Sequence, residues 1–187
     1  MERFPPVTPS ILTPEQKPLY ELMDNVTKAT YGTTIKLKSS DGALLGPFNP
    51  MLYTPTLITP WLQLQANIGA LAVARDREIA ILACLSQSPA PYGVYAHTII
   101  AKKAGFTEDQ VEAMLVARTP RGLGRREAMV WEFSLELTQM KGPMEKDTYK
   151  RAEKVLERDG IAALIHTVGA FMYTSVLLNA ADVCAPE

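Results

Sequence analysis

Apolar positions along the chain recur mostly at intervals of three and four residues, so helices are predicted almost throughout. Thr13-Pro14-Glu15-Gln16 reads as a helix start, with proline just inside the end and glutamine placed to reach back, and that helix runs to about Thr30. Residues 1–12, rich in proline, read as an extended arm leading to it. Segment 32–54 breaks the pattern. There Asp41-Gly42 either turns a short hairpin between Ile35-Lys36-Leu37 and Ala43-Leu44-Leu45 or sits in a long loop, and a loop of that length is usually functional. Helical spacing returns from Trp61 to about Leu71. Asp76 then caps a nearly all-apolar helix over 77–87, a pattern that belongs at the centre of a fold. Pro91 opens the next helix, and Gly105 follows its end. Thr107-x-x-Gln110 starts a short helix to about Ala117, and amphipathic helices cover 125–141 and 146–158, the latter closed by Gly160. The sum is an all-α fold of about seven or eight helices by this spacing.

Length and charge narrow the function classes. A chain of 187 residues is expected to form one domain over 1–187, and 47% hydrophobic against 21% charged residues excludes a disordered chain. Lys+Arg 19 against Asp+Glu 20 leaves a net charge of −1, so neither nucleic acid nor an anionic membrane surface is expected as a partner. The chain carries no βαβ alternation, glycine-rich phosphate loop or internal repeat, which removes the nucleotide-binding and solenoid signatures. The N-terminus has no apolar signal core, and Cys84 and Cys184 each sit in apolar runs as free thiols, so a cytoplasmic protein is expected. Residues 161–181 contain no Asp, Glu, Lys or Arg and are long enough to span a bilayer. They also carry His166, Thr167, Gly169, Thr174, Ser175 and Asn179, with no basic cluster following, so a core or interface helix is the preferred reading.

Reactive side chains are scarce. The two histidines, His97 and His166, and the two cysteines lack the CxxC or HxxxH spacing of a metal site, and no metal is expected. His97 shares a helix face with Val94, Ala101 and Ala104. Glu78 lies in the first turn of the apolar helix beside Ile81 and Leu82, where a carboxylate costs several kcal/mol unless compensated. Arg75, Arg77 and His97 are the candidate compensators.

These residues carry a resemblance. Glu78, eleven intervening residues, Ala90, two more, Gly93, three more and His97 are similar to the Glu-x11-Cys-x2-Cys-x3-His core of the carboxymuconolactone decarboxylase and alkylhydroperoxidase-D-like superfamily. Arg77-Glu78-Ile79-Ala80-Ile81-Leu82, Ala101-Lys102-Lys103-Ala104-Gly105, Gly46-Pro47-Phe48 and Leu177-Leu178-Asn179-Ala180 extend the likeness over essentially the whole chain. Ala90 and Gly93 replace the redox cysteines, so thiol peroxidase chemistry has no sulfur to use and the pattern resembles the non-redox decarboxylase branch. Where that branch often has Tyr-Glu-Trp, this chain has Tyr92-Gly93-Val94.

The resemblance implies a cofactor-independent lyase or isomerase acting on a carboxylated, lactone or polyketide-like small molecule by decarboxylation or a proton shift. Dehydratase and cyclase chemistry and both catabolic and biosynthetic roles stay open. His97 would carry the proton and Glu78 would orient it. Tyr92, Tyr95, Asn49, Trp61 and His166 are the candidate substrate contacts, with His166 equally a core or interface residue. The resemblance also implies a homo-oligomer, a trimer or hexamer, with the site near subunit contacts. A non-catalytic binding or scaffold protein on the same helices is the alternative, and a cavity touching both Glu78 and His97 separates the two readings.

Overall fold

A computed structural model of the chain describes residues 3–186. In order, the helices are α1 (Gln16–Tyr31), α2 (Phe48–Met51), α3 (Ile58–Gly69), α4 (Ala74–Gln87), α5 (Pro91–Lys103), α6 (Glu108–Leu115), α7 (Arg125–Gln139) and α8 (Lys146–Ala181). The fold is all-helical among the described residues, with a 3-10 turn at Pro55–Leu57 and one isolated antiparallel bridge, Lys38 to Leu44.

Local signals explain most ends. Thr13 and Gln16 exchange the two bonds of a capping box, Thr13 N–H to Gln16 Oε1 at 3.0 Å and Gln16 N–H to Thr13 Oγ1 at 3.2 Å. Thr107 and Gln110 repeat the device at α6, and Gly105 takes a φ of +92° after α5. Helices α3, α6 and α7 each stop two residues before the expected end.

Two expectations are corrected. Asp76 does not cap α4, because the helix begins at Ala74 and places Asp76 inside its first turn, where Arg126 Nε donates to it at 2.9 Å. The helix after Lys146 is not closed by Gly160. The break comes at Glu157 (φ 60°, ψ 173°), and Gly160 instead permits close packing, since an added Cβ would lie 3.4 Å from Arg126 Nη2 and from Leu156 Cβ.

Helix α4 is central because Ile79, Ala80, Ile81, Leu82, Ala83, Cys84 and Leu85 are all buried, leaving no face for water. Helices α5, α6, α7 and α8 pack around it, with Trp131 and Phe133 of α7 fully inside. Helix α8 is the one helix of the described residues long and apolar enough to cross a membrane, and 50% of its most apolar window is buried within the protein. Its outer side exposes Ile165, Met172, Tyr173 and Val176.

The expected arm, whose first two residues lie outside the described ones, runs along α2 and the end of α8. Asn49 clamps it, accepting from Val7 N–H at 2.8 Å and donating to the carbonyls of Phe4 and Pro5 at 3.2 Å. The segment before α2 folds as a small hairpin over buried Ile35, Leu37 and Leu44, with Tyr20 donating to Gly42 O at 2.6 Å. Gly46 ends this segment at φ +66°, and a Cβ there would sit 2.3 Å from the Tyr92 ring. Gly46→Ala should therefore lower unfolding free energy by about 2 kcal/mol or more, combining a strained backbone with an unavoidable clash. Urea denaturation reads this directly, and an unchanged midpoint would contradict it.

Candidate active site

The first turn of α4 is anchored from three sides. Arg75 donates from Nε to Glu127 at 2.6 Å and from Nη1 to the Ala104 carbonyl at 3.2 Å, and its guanidinium lies 3.8 Å over the Phe106 ring. With the Asp76–Arg126 pair, this ties the start of α4 to α7 and to the end of α5. Glu78 projects from that fixed turn into an apolar interior, its side chain only 2% exposed.

Its carboxylate has two cationic or protonated neighbours. His97 Nδ1 lies 2.7 Å from Glu78 Oε2, and Arg77 Nε lies 3.6 Å from Oε1 while Arg77 Nη1 donates to Gly69 O at 2.9 Å. An ionised carboxylate only accepts, so Nδ1 carries the proton and Nε2 is the imidazole's available lone pair. The rings of His97 and Phe171 of α8 pack at right angles, their centroids 4.9 Å apart at 89°.

The pair opens on a cavity of about 450 Å³. Ile35, Phe48, Trp61, Ile81, Phe171 and Leu178 are among its apolar wall residues, and Glu78, His97, Arg77, Tyr31 and Tyr92 are its titratable ones. The wall is mainly apolar and the cavity is partly open, a space that suits a small, largely apolar molecule. Among the described residues no group of three or more His, Cys, Asp or Glu side chains is placed to hold a metal ion.

The sequence-nominated contacts divide. Trp61 lines the cavity, and its indole nitrogen is buried without a partner. Tyr92 lines it with its ring, but its hydroxyl donates to Lys36 O at 2.9 Å, and burial pushes that hydroxyl well up. Tyr95 is corrected: it lies outside the cavity wall and accepts from Lys36 N–H at 2.9 Å, so the two tyrosines hold the hairpin segment together. Asn49 is likewise corrected to the arm clamp, its polar atoms spent on backbone groups. His166 faces a separate open groove, shared with Leu57, Leu64, Ile165 and Tyr173, and does not line the cavity. The sequence reading missed Tyr31 and Phe171 as wall residues. For Tyr31 the signal was present, since Tyr20, Met23, Thr27 and Tyr31 fall on one face of α1.

Of the two free cysteines that the sequence places in apolar runs, Cys84 is buried and Cys184 is exposed. Cys84 is buried, its thiol pushed up to about 12 by burial, and it supplies no thiolate near neutral pH. Ala90 and Gly93 are close: a Cβ on Gly93 would lie 3.6 Å from Ala90 Cβ, within the range of a disulfide, but also 2.9 Å from Leu85 Cδ2. The backbone places the two positions at the spacing of a thiol pair, and a leucine methyl crowds any side chain at Gly93.

No family model matches the chain, and no curated protein matches it. Among solved structures, a cysteine-to-alanine variant of the debrominase Bmp8, in complex with 2,3,4-tribromopyrrole, superposes with a TM-score of 0.69. The alignment covers 98% of this chain and 91% of the debrominase at 15% identity. At that identity the likeness is one of fold: this chain and the debrominase share one helical architecture over nearly their whole lengths.

Proposed function

We propose that this protein is an acid–base enzyme that shifts a proton on, or releases carbon dioxide from, an apolar small molecule bearing an enolisable carbonyl. The observation that carries the reading is the Glu78–His97 pair opening on an apolar cavity. A buried carboxylate and imidazole are expensive to hold in such surroundings, and a packed core around them would have favoured the scaffold alternative. The resemblance to carboxymuconolactone decarboxylases and the binding of a small flat ring by a debrominase of this fold support a small-molecule substrate.

In this reading His97 Nε2 takes a proton from carbon, the electron pair moves onto the carbonyl oxygen, and Glu78 stabilises the imidazolium. The same nitrogen then returns the proton to a different carbon. For a carboxylate β to the carbonyl, the bonding electrons move to the same oxygen as carbon dioxide leaves, and His97 Nε2 passes to the carbon a proton that it takes from water, which completes the product. A positioned acid–base group contributes about 10²–10⁴-fold, or about 3–5 kcal/mol. The expected substrates are lactone, carboxylated or polyketide-like compounds of catabolism or biosynthesis.

Incubation with a metabolite extract in heavy water, followed by mass spectrometry, should reveal loss of carbon dioxide or water or uptake of deuterium. His97→Ala should lower the rate of that conversion by two or more decades, about the contribution of a proton carrier, and Glu78→Gln by less. Alkylation of Cys184 should leave it unchanged. Full turnover by His97→Ala would contradict the mechanism, and hydroperoxide turnover abolished by alkylation would contradict the non-thiol assignment.

Assembly belongs to the same proposal. Leu57, Leu64, Ile165 and Tyr173 are exposed and line an open apolar groove of about 480 Å³. Trp61 and Gln65 form a wall common to this groove and the cavity, so a neighbouring subunit in the groove would support the site from behind. A soluble trimer or hexamer is expected. Light scattering without detergent should give a multiple of the 20.6 kDa chain, and a stable monomer or a detergent-requiring protein would contradict this.

A further inference from the structure

Tyr31 ends α1 at the Glu78 side of the cavity, close enough to feel the charges of both Glu78 and Arg77. Other tyrosine hydroxyls near it have protein partners: Tyr20 donates to Gly42 O, Tyr92 donates to Lys36 O and Tyr95 accepts from Lys36 N–H. The hydroxyl of Tyr31 has none among the described residues, although it lines the same cavity as the Glu78–His97 pair. Tyr31 is half-buried and its hydroxyl is not spent on a protein group, so on this cavity wall it is free to meet an acceptor that arrives with a ligand. Arg77 is less free for that task, since its guanidinium already serves Gly69 O and Glu78.

We propose that Tyr31 is a catalytic residue whose hydroxyl donates to the substrate oxygen on which negative charge gathers while His97 handles the proton on carbon. The assignment deepens the acid–base reading of this site and rests on it. Burial and the Glu78 carboxylate push the Tyr31 hydroxyl up, against the smaller opposite effect of Arg77, so the group stays protonated and donates. A donor aimed at the developing oxyanion strengthens as charge builds, which lowers the barrier more than it tightens ground-state binding. Trp61, also in the cavity wall, carries a buried indole N–H with no partner among the described residues. The substrate class follows: an apolar, mostly flat skeleton whose reacting carbonyl or enol oxygen lies towards α1.

The test compares 4-nitrophenol, at a pH where it is ionised and its phenolate oxygen imitates an enolate, with nitrobenzene, which lacks that oxygen. Binding is read by quenching of tryptophan fluorescence, Trp61 being in the cavity wall. The wild-type protein should favour the phenol by about tenfold or more, the scale of a hydrogen bond to a charged oxygen. Tyr31→Phe should remove that preference while melting at or above the wild-type temperature, because the deleted hydroxyl has no protein partner to lose. A preference that survives in Tyr31→Phe, a wild type that does not distinguish the two probes, or a melting temperature lowered by several degrees would each overturn the assignment. Failure here leaves the His97–Glu78 mechanism standing, because that mechanism is judged separately by the turnover of His97→Ala.

Discussion

A carboxylate buried at the start of an apolar helix is the constraint around which this molecule is arranged. Glu78 cannot stay ionised among Ile79, Ile81 and Leu82 without compensation, and the fold supplies it from two directions, the adjacent Arg77 and His97 of α5. The Arg75–Glu127 and Arg126–Asp76 pairs then hold the turn that carries Glu78. Breaking such a buried pair by removing one partner typically costs about 3–5 kcal/mol, so the geometry is maintained by stability as well as by function. The same contact that satisfies the carboxylate orients the imidazole, so in the proposed mechanism compensation and activation would be one interaction.

The rest of the fold builds a partly open, mainly apolar cavity beside that pair. Helix α1 and the small hairpin cover one side, held by Tyr92 and Tyr95 on the backbone of Lys36, while α3 and α8 supply Trp61 and Phe171. Gly46 lets the loop approach the Tyr92 ring more closely than any side chain allows. The arm, clamped by Asn49 beside Phe48, keeps α2 seated at the edge of the cavity.

The helices were readable from the chain because their ends carry local chemistry, as Thr13 with Gln16 and Thr107 with Gln110 show. The Glu78–His97 contact was readable because a buried charge demands a partner and few candidates existed. Tyr95 and Asn49 were misplaced for a physical reason: a polar side chain near a site in sequence is as able to bond loop backbone as a ligand, and only tertiary packing decides. Tyr31 was overlooked because α1 returns to the site across a long sequence separation. The break at Glu157 had no local signal, since neither glycine nor proline marks it.

The central claim is that Glu78 holds His97 with its proton on Nδ1 and its Nε2 free for chemistry. Nitrogen-15 NMR reports this tautomer directly, and with His166 exposed on α8 as the second histidine, each signal can be assigned by a single substitution. The account predicts a slowly exchanging Nδ1 proton on His97 that is lost or broadened in Glu78→Gln, while His166 shows the ordinary solvent-exposed pattern. A His97 ring protonated on Nε2, or one as freely exchanging as His166, would contradict it.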